Sequence, residues 1–342
     1  MDRFLCWRFY SGIGLLAVLL LALVLFALSI GNYPVSALDI YHFIGHQLGV
    51  YRLPAPKLLL LNDILLHVRL PRVMAAVLVG MALSTAGSAF QAIFRNPLVS
   101  PGILGVLSGA AFGAALGMLL HQSQQMLEVW AFGFGILAVF VGVGIGQLFG
   151  TGSLVMLILG GMISSALFSA MLSMVKYLAD PQDQLPNIVY WLMGSLSMST
   201  LSQNLMIAIP IGITTVILWF LGRVMDIMSM GDAEAQSLGV PVVPLRYLII
   251  ALATLASAMS VSIAGMIGWI GLLAPHVARL LFGPVNSRLL PASTLLGGCF
   301  LVIADCLSRS LASVEIPVGV VTECLGLPIF LLVLYRVKKG WS

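Results

Sequence analysis

Long apolar stretches separated by short polar breaks run through the whole chain. A window of roughly 19 residues places them near 11–30, 71–94, 101–120, 127–149, 154–178, 203–222, 247–268, 270–282, 290–313 and 317–335. A bilayer core about 30 Å thick takes roughly 20 apolar residues per spanning helix. Most of these segments are long enough to cross, whereas 270–282 is too short to do so without help. The pattern predicts an all-α polytopic membrane bundle of about ten transmembrane helices, with residues 1–342 forming a single domain.

Three stretches between the apolar segments are long enough to matter. Residues 31–66 carry Pro34, Pro54, Pro56, His42 and His46, with His67 just beyond, and read as a solvated outer loop. The histidines lack the regular spacing of metal ligands. In 179–200, Asp180, Pro181, Gln182 and Asp183 precede an apolar piece that restarts at Pro186 and runs through Trp191 to Ser195. It is too short to span, and a half-helix dipping into the membrane is permitted only where protein or water satisfies its backbone, so it is a candidate for lining a pathway. In 223–246, Asp232 reads as an N-cap, Ala233 and Glu234 favour helix, and Gly239 with Pro241 supplies a stop. The result is a short surface helix with an acidic first turn, either a plain connector or a contact for another protein.

Composition narrows the class further. Hydrophobic residues make up 60% of the chain and charged residues 8%, against roughly 25% charged in soluble domains, so no soluble surface can be built. The net charge of +4 comes from basic residues scattered at helix ends, not from the runs that track nucleic acid. With an even number of spans, ten basic residues share the side of the termini: Arg3, Arg8, Arg95, Arg223, Arg246, Arg279, Arg288, Arg336, Lys338 and Lys339. Six face the other side: Arg52, Lys57, Arg69, Arg72, Lys176 and Arg309. The majority predicts cytoplasmic termini. Arg3, Arg8 and the apolar run Gly12–Ile30 imitate a secretory signal, but the run exceeds the roughly 7 to 15 residues of a signal core, so retention as a first helix is expected. Cys6, Cys299, Cys306 and Cys324 lack CxxC spacing and read as buried free thiols.

Candidate chemistry is sparse. None of Lys57, Lys176, Lys338 or Lys339 has the setting of a P-loop, and no HExxH, Ser and His pair, or facing aspartates suggests an intramembrane hydrolase. Asp305, Glu323, His276 and Lys176 lie at or near helix ends and are too dispersed for a proton relay. Structural pairing is the reading they support, with an ion-gradient-driven secondary transporter using Asp305 and Glu323 as the alternative.

Several motifs in order carry a resemblance. They are Arg69-Leu70-Pro71-Arg72, Gly87, Gln91, Arg95-Asn96-Pro97-Leu98, Pro101, Gly105 and Gly109. Further on come Gly268, Gly271, Ala274-Pro275-His276, Arg279, Leu290-Pro291-Ala292-Ser293, Ala304-Asp305, Arg309, Glu315-Ile316-Pro317-Val318-Gly319, Gly326, Pro328 and Phe330. Over about residues 69 to 336 the chain resembles the permeases of the iron-siderophore, haem and cobalamin ATP-binding-cassette importers.

The resemblance implies a type II importer permease, itself not an enzyme, in the bacterial inner membrane. It implies a homodimer around a shared path, two ATPase subunits that bind the ATP and Mg, and a periplasmic substrate-binding protein, with no cofactor or metal on this chain. Arg69, Arg72 and Arg309 would receive carboxylates of the binding protein, for which a guanidinium fork is suited; pairing with Asp63, Asp305 or Glu315 is the alternative the residues themselves offer. Asn96 and Leu98, with Thr151 and Ser153, would form the cytoplasmic gate. Asp232, Glu234, Ser237, Leu238 and Gly239 would couple to the ATPase. The cargo implied is a metal chelate moved by alternating access, ferric siderophore first, with haem, cobalamin or molybdate and tungstate as further candidates.

Overall fold

The computed structural model describes residues 2–31, 33–150, 153–312 and 314–339. In chain order the α-helices are α1 (Asp2–Ser29), α2 (Ala37–Gln47), α3 (Ala55–Asn62), α4 (Leu70–Ile93), α5 (Val106–Leu119), α6 (Gln124–Phe149), α7 (Leu154–Leu178) and α8 (Gln184–Leu192). They continue with α9 (Leu201–Phe220), α10 (Gly222–Ser229), α11 (Asp232–Ser237), α12 (Val242–Ala264), α13 (Ile270–Phe282), α14 (Asn286–Ser310) and α15 (Val318–Lys339). Among the described residues 7 helical stretches are long and apolar enough to cross a membrane, and the apolar parts of α5, α13 and α15 are shorter. Together they occupy the ten segments of the sequence pattern. The segment 101–120 is broken because Pro101 opens a 3-10 turn, Pro101–Leu104, and Gly105 turns left-handed at φ +93° before α5 begins.

The expected outer loop 31–66 is instead largely helical. Ser36 and Asp39 form a reciprocal capping box at the start of α2, which satisfies two orphan N–H groups of its first turn, and Asp39 pairs with Lys57 of α3 at 2.6 Å. Pro56 lies in the first turn of α3, where a missing N–H costs nothing. Pro54 and Pro56 therefore begin a helix, and α3 runs through a π-helical stretch, Asp63–Arg69, into α4 as one 39-residue rod.

That rod runs through the centre of the bundle. In α4 every residue from Ala82 to Ile93 is buried, because small side chains let its neighbours approach backbone to backbone, the contact that holds helices together in lipid. A Cβ on Gly80 would fall 2.3 Å from the carbonyl oxygen of Gly297 in α14, and one on Gly87 would fall 1.9 Å from that of Gly271 in α13. Between these contacts polar groups pair across the helices. The Ser84 hydroxyl bonds Ser293 at 2.6 Å, Ser88 bonds Ser293 at 2.9 Å, and Thr85 meets Thr294, which also accepts from the Trp219 indole.

The short helix expected after Pro186 is α8. After it, Ser195 N–H donates to Ala264 O at the end of α12, and Gly194 O accepts from Val318 N–H at the start of α15. Gly265 breaks the helix in the left-handed region at φ +69°, with Trp191 O only 2.4 Å from where a Cβ would stand. The carbonyl that ends α12 is thus paired with another segment, and the break at Gly265 is why α13 is short.

Two expectations follow. Gly87→Val should lower the thermal midpoint of the detergent-purified protein, since overpacking costs about 1–3 kcal/mol, while Gly133→Val, where nothing lies within 4 Å, leaves it in place. Hydrogen bonds from the Lys57 and Ser36 side chains hold the Asp39 carboxyl down at about 2, below its ordinary 3.8. A depressed folded-state pKa stabilises above the unfolded value and the contribution fades below it. Hydrogen exchange should therefore show α2 protected at neutral pH and loosening as the pH falls from about 3.8 through about 2.

Candidate functional site

Hydrogen bonds between helix starts define one end of the bundle. Asn204 at the start of α9 donates to Pro71 O at the start of α4, and Gln203 donates to Glu128 in the second turn of α6. Arg69, Arg72 and Arg309 all lie at this end, and the structure brings them together around a cavity of about 230 Å³ that Glu315 and Tyr33 also line. Arg72 bridges two carboxylates, Nε to Asp305 and Nη1 to Glu315, both at 2.7 Å. Arg309 Nη2 stands 3.0 Å from the other Asp305 oxygen, an ion pair without the angle of a hydrogen bond, and its Nη1 donates to Ile30 O at 2.9 Å. Arg69 donates to Leu28 O and to Tyr33 O.

All three arginines are more than nine-tenths buried within this chain, which departs from the picture of arginines displayed to a partner. A buried charge needs partners. They come from Asp305 and Glu315, the pairing that the sequence offers as an alternative, and from the carbonyl groups at the C-terminal end of α1, whose last turn has no intrahelical donors and carries partial negative charge. Three positive charges face two carboxylates, so the cluster retains a positive excess.

At the start of α6, helix α8 and the α5–α6 turn line a larger cavity of about 410 Å³, with His121, Gln124, Asp183, Asn187, Tyr190 and Trp191 among its walls. This is the half-helix that the sequence marks as a pathway candidate.

The opposite end holds the other candidates. After α4 the chain turns sharply. Arg95 is left-handed at φ +49°, the Asn96 carboxamide oxygen accepts from Leu98 N–H at 2.9 Å, and Leu98 is left 58% exposed. Ser153 caps α7 by accepting from Met156 N–H, and Thr151 lies outside the described residues. The 3-10 turn that follows the Asn96–Leu98 segment packs on α7 at Gly161, about two helical turns beyond Ser153.

Asp232 is not the N-cap of α11. Gly231 holds that position, and the Asp232 carboxylate is drawn away by two arginines, Arg95 from the turn and Arg246 from α12, the latter at 2.6 Å. Glu234, Ser237, Leu238 and Gly239 are exposed, so the surface available to a partner is narrower than the acidic helix as a whole. Sequence reasoning missed Arg246, which is 1% exposed. It also missed Asp226, which accepts from Asn286 N–H at 2.5 Å and Ser287 N–H at 3.2 Å and so caps α14 from α10. Neither has a local signal, since their partners lie in other elements; an arginine early in an apolar helix was the one available hint for Arg246.

The permease of the molybdate import system of Haemophilus influenzae is 38% identical over 328 residues, 95% of each chain. A Helicobacter pylori protein named "Probable iron chelatin transport system permease protein" is 40% identical over 278 residues, 81% of this chain and 84% of its own. A solved inward-facing metal-chelate type ABC transporter superposes with a TM-score of 0.83 at 37% identity, covering 95% of this chain and 98% of the other. The FecCD transport family matches residues 19–336, and with a match across nearly the whole bundle the chain belongs to that family.

Proposed function

We propose that this chain is the membrane-spanning permease of an ATP-driven importer for a metal chelate. Two copies form the path, two ATP-binding-cassette subunits engage the end that carries α11, and a periplasmic binding protein docks at the arginine end. Both termini then lie in the cytoplasm of a bacterium, and ATP and Mg are bound by the partner subunits. The observation that carries this reading is the pair of dissimilar ends on one rod-centred bundle. A short helix with exposed Glu234, Ser237 and Leu238 stands at one end, and an arginine cluster with excess positive charge at the other. A secondary transporter gains no support from Asp305, whose carboxylate is already engaged by Arg72 and Arg309.

Docking on the arginine cluster differs from a simple surface contact. The excess charge supplies long-range attraction for acidic groups, and a carboxylate arriving at the cavity beside Arg69 would complete the set. Replacing Arg72 with Glu would set a third carboxylate against Asp305 and Glu315 and disrupt the fold, so it cannot report on docking. For the cargo, a ferric siderophore fits the iron-chelate relative; molybdate is a second reading, favoured by the relative that matches 95% of both chains.

Reconstituted with its ATPase and binding protein in proteoliposomes, the permease should take up a ferric siderophore only with ATP, with molybdate measured alongside. Uptake that follows a proton or sodium gradient without ATP overturns the importer reading. Arg69→Gln should weaken docking of the binding protein about tenfold, the loss of one charge-assisted contact, measured by titration at low salt; unchanged affinity removes Arg69 from the docking site. Glu234→Lys combined with Leu238→Ala should cut uptake about tenfold, the size of an interface hot spot, while ATP hydrolysis continues, and unchanged uptake removes α11 from the ATPase interface.

A further inference from the structure

The importer reading gives the Asn96–Leu98 turn and α11 separate tasks, gate and coupling. The ion pairs between them join the two. We propose that the turn 94–100, α11 and the first turns of α12 move as one body fastened by Asp232, with Arg95 and Arg246 as positioning residues. This rests on the function proposed above and goes beyond it, because it makes the gate a passenger of the coupling helix.

Each oxygen of the Asp232 carboxylate takes a different guanidinium, Oδ1 that of Arg95 and Oδ2 that of Arg246. Charge-assisted contacts of this kind are stronger than neutral hydrogen bonds, and one of the two anchors is buried. Arg246 is 1% exposed, and removing the carboxylate from a buried charge is strongly unfavourable. Backbone geometry commits the other anchor, since Arg95 occupies the left-handed region at φ +49°, uncommon for a residue with a Cβ.

The covalent connections of α11 have the opposite character. Gly231 precedes it at φ +141° and Gly239 follows it at φ +81°, two joints where only glycine turns without strain. The helix thus joins its own neighbours in sequence through glycine turns and is fastened by charge where it meets the turn. On its far side the turn is held by Gln91, whose amide donates to Val99 O and Gly271 O at 3.3 Å each and whose oxygen accepts from Arg279. A displacement of α11 would therefore carry Leu98 with it, pivoting about Gln91.

The test joins the two positions covalently. In a version with Cys→Ala at positions 6, 299, 306 and 324, Arg95→Cys and Ala233→Cys are introduced together, leaving Asp232 on Arg246, and bridged with a short bifunctional thiol reagent, in the complete transporter in proteoliposomes. Unbridged, the double variant should hydrolyse ATP but take up cargo about tenfold more slowly than its cysteine-free parent, the loss of a charge-assisted contact. Bridging should restore uptake to at least about half of the parent rate, a rescue that a merely stabilising contact would not give to transport alone. Bridged protein that stays uncoupled, a bridge that does not form, or an unbridged variant that transports like its parent overturns the proposal. A parent lacking ATP-driven uptake instead brings down the importer reading and the link with it, so the two failures are told apart by the parent.

Discussion

The close approach of α4 to α14 and α13 is the contact on which the rest of the structure depends. In a bilayer, apolar side chains gain little by leaving lipid for protein, so helices associate where small residues allow backbone contact and where polar groups find each other. Gly80 against Gly297, Gly87 against Gly271, and the hydroxyl pairs of Ser84, Thr85 and Ser88 with Ser293 and Thr294 do both. The same helices carry the functional candidates. Arg72 lies in the first turn of α4 and Arg95 just after its last, while Asp305 and Arg309 lie near the end of α14. A helix of this length spans about 36 Å, so a single close-packed pair fixes the arginine cluster at one end and the turn at the other in a common frame.

Around that frame the chain departs from regular helix after α8, where two other segments pair with the exposed backbone. The end of α8 serves both the end of α12 and the start of α15, and the crowding there leaves no room for side chains at Gly194, Gly265 or Gly319. Trp269 is left-handed at φ +67° and its indole packs on Gly326, where a Cβ would lie 2.6 Å from Trp269 Cβ. The break before α13 is thus specified by packing between distant elements, and Gly265 at the break lines the larger cavity together with α8.

Charge follows the same logic at both ends. Arginines near helix ends invite the view that they are displayed, yet Arg69, Arg72, Arg246 and Arg309 are all buried. Each sits where another element offers a carboxylate or the acceptor end of a helix. At one end this leaves a positive excess beside a cavity; at the other it binds a short helix to a turn. The two arrangements differ in what remains exposed: little of the arginines in the first, and the face of α11 bearing Glu234, Ser237 and Leu238 in the second.

The sequence by itself determined the ten apolar segments, the half-helix restarting at Pro186 and the short helix before Gly239, because hydropathy, proline and glycine act through the local backbone. It also marked Arg69, Arg72 and Arg309 and the Arg95–Leu98 turn as notable. Only the tertiary structure decided that residues 37–62 are largely helical, that the three arginines face inward, that Asp232 belongs to Arg95 and Arg246, and that Asp226 caps α14. Partners such as Arg72 and Asp305 stand 233 positions apart. Pairing across such separations is set by how close small residues let the helices come, a property of several segments together that no single stretch of sequence contains.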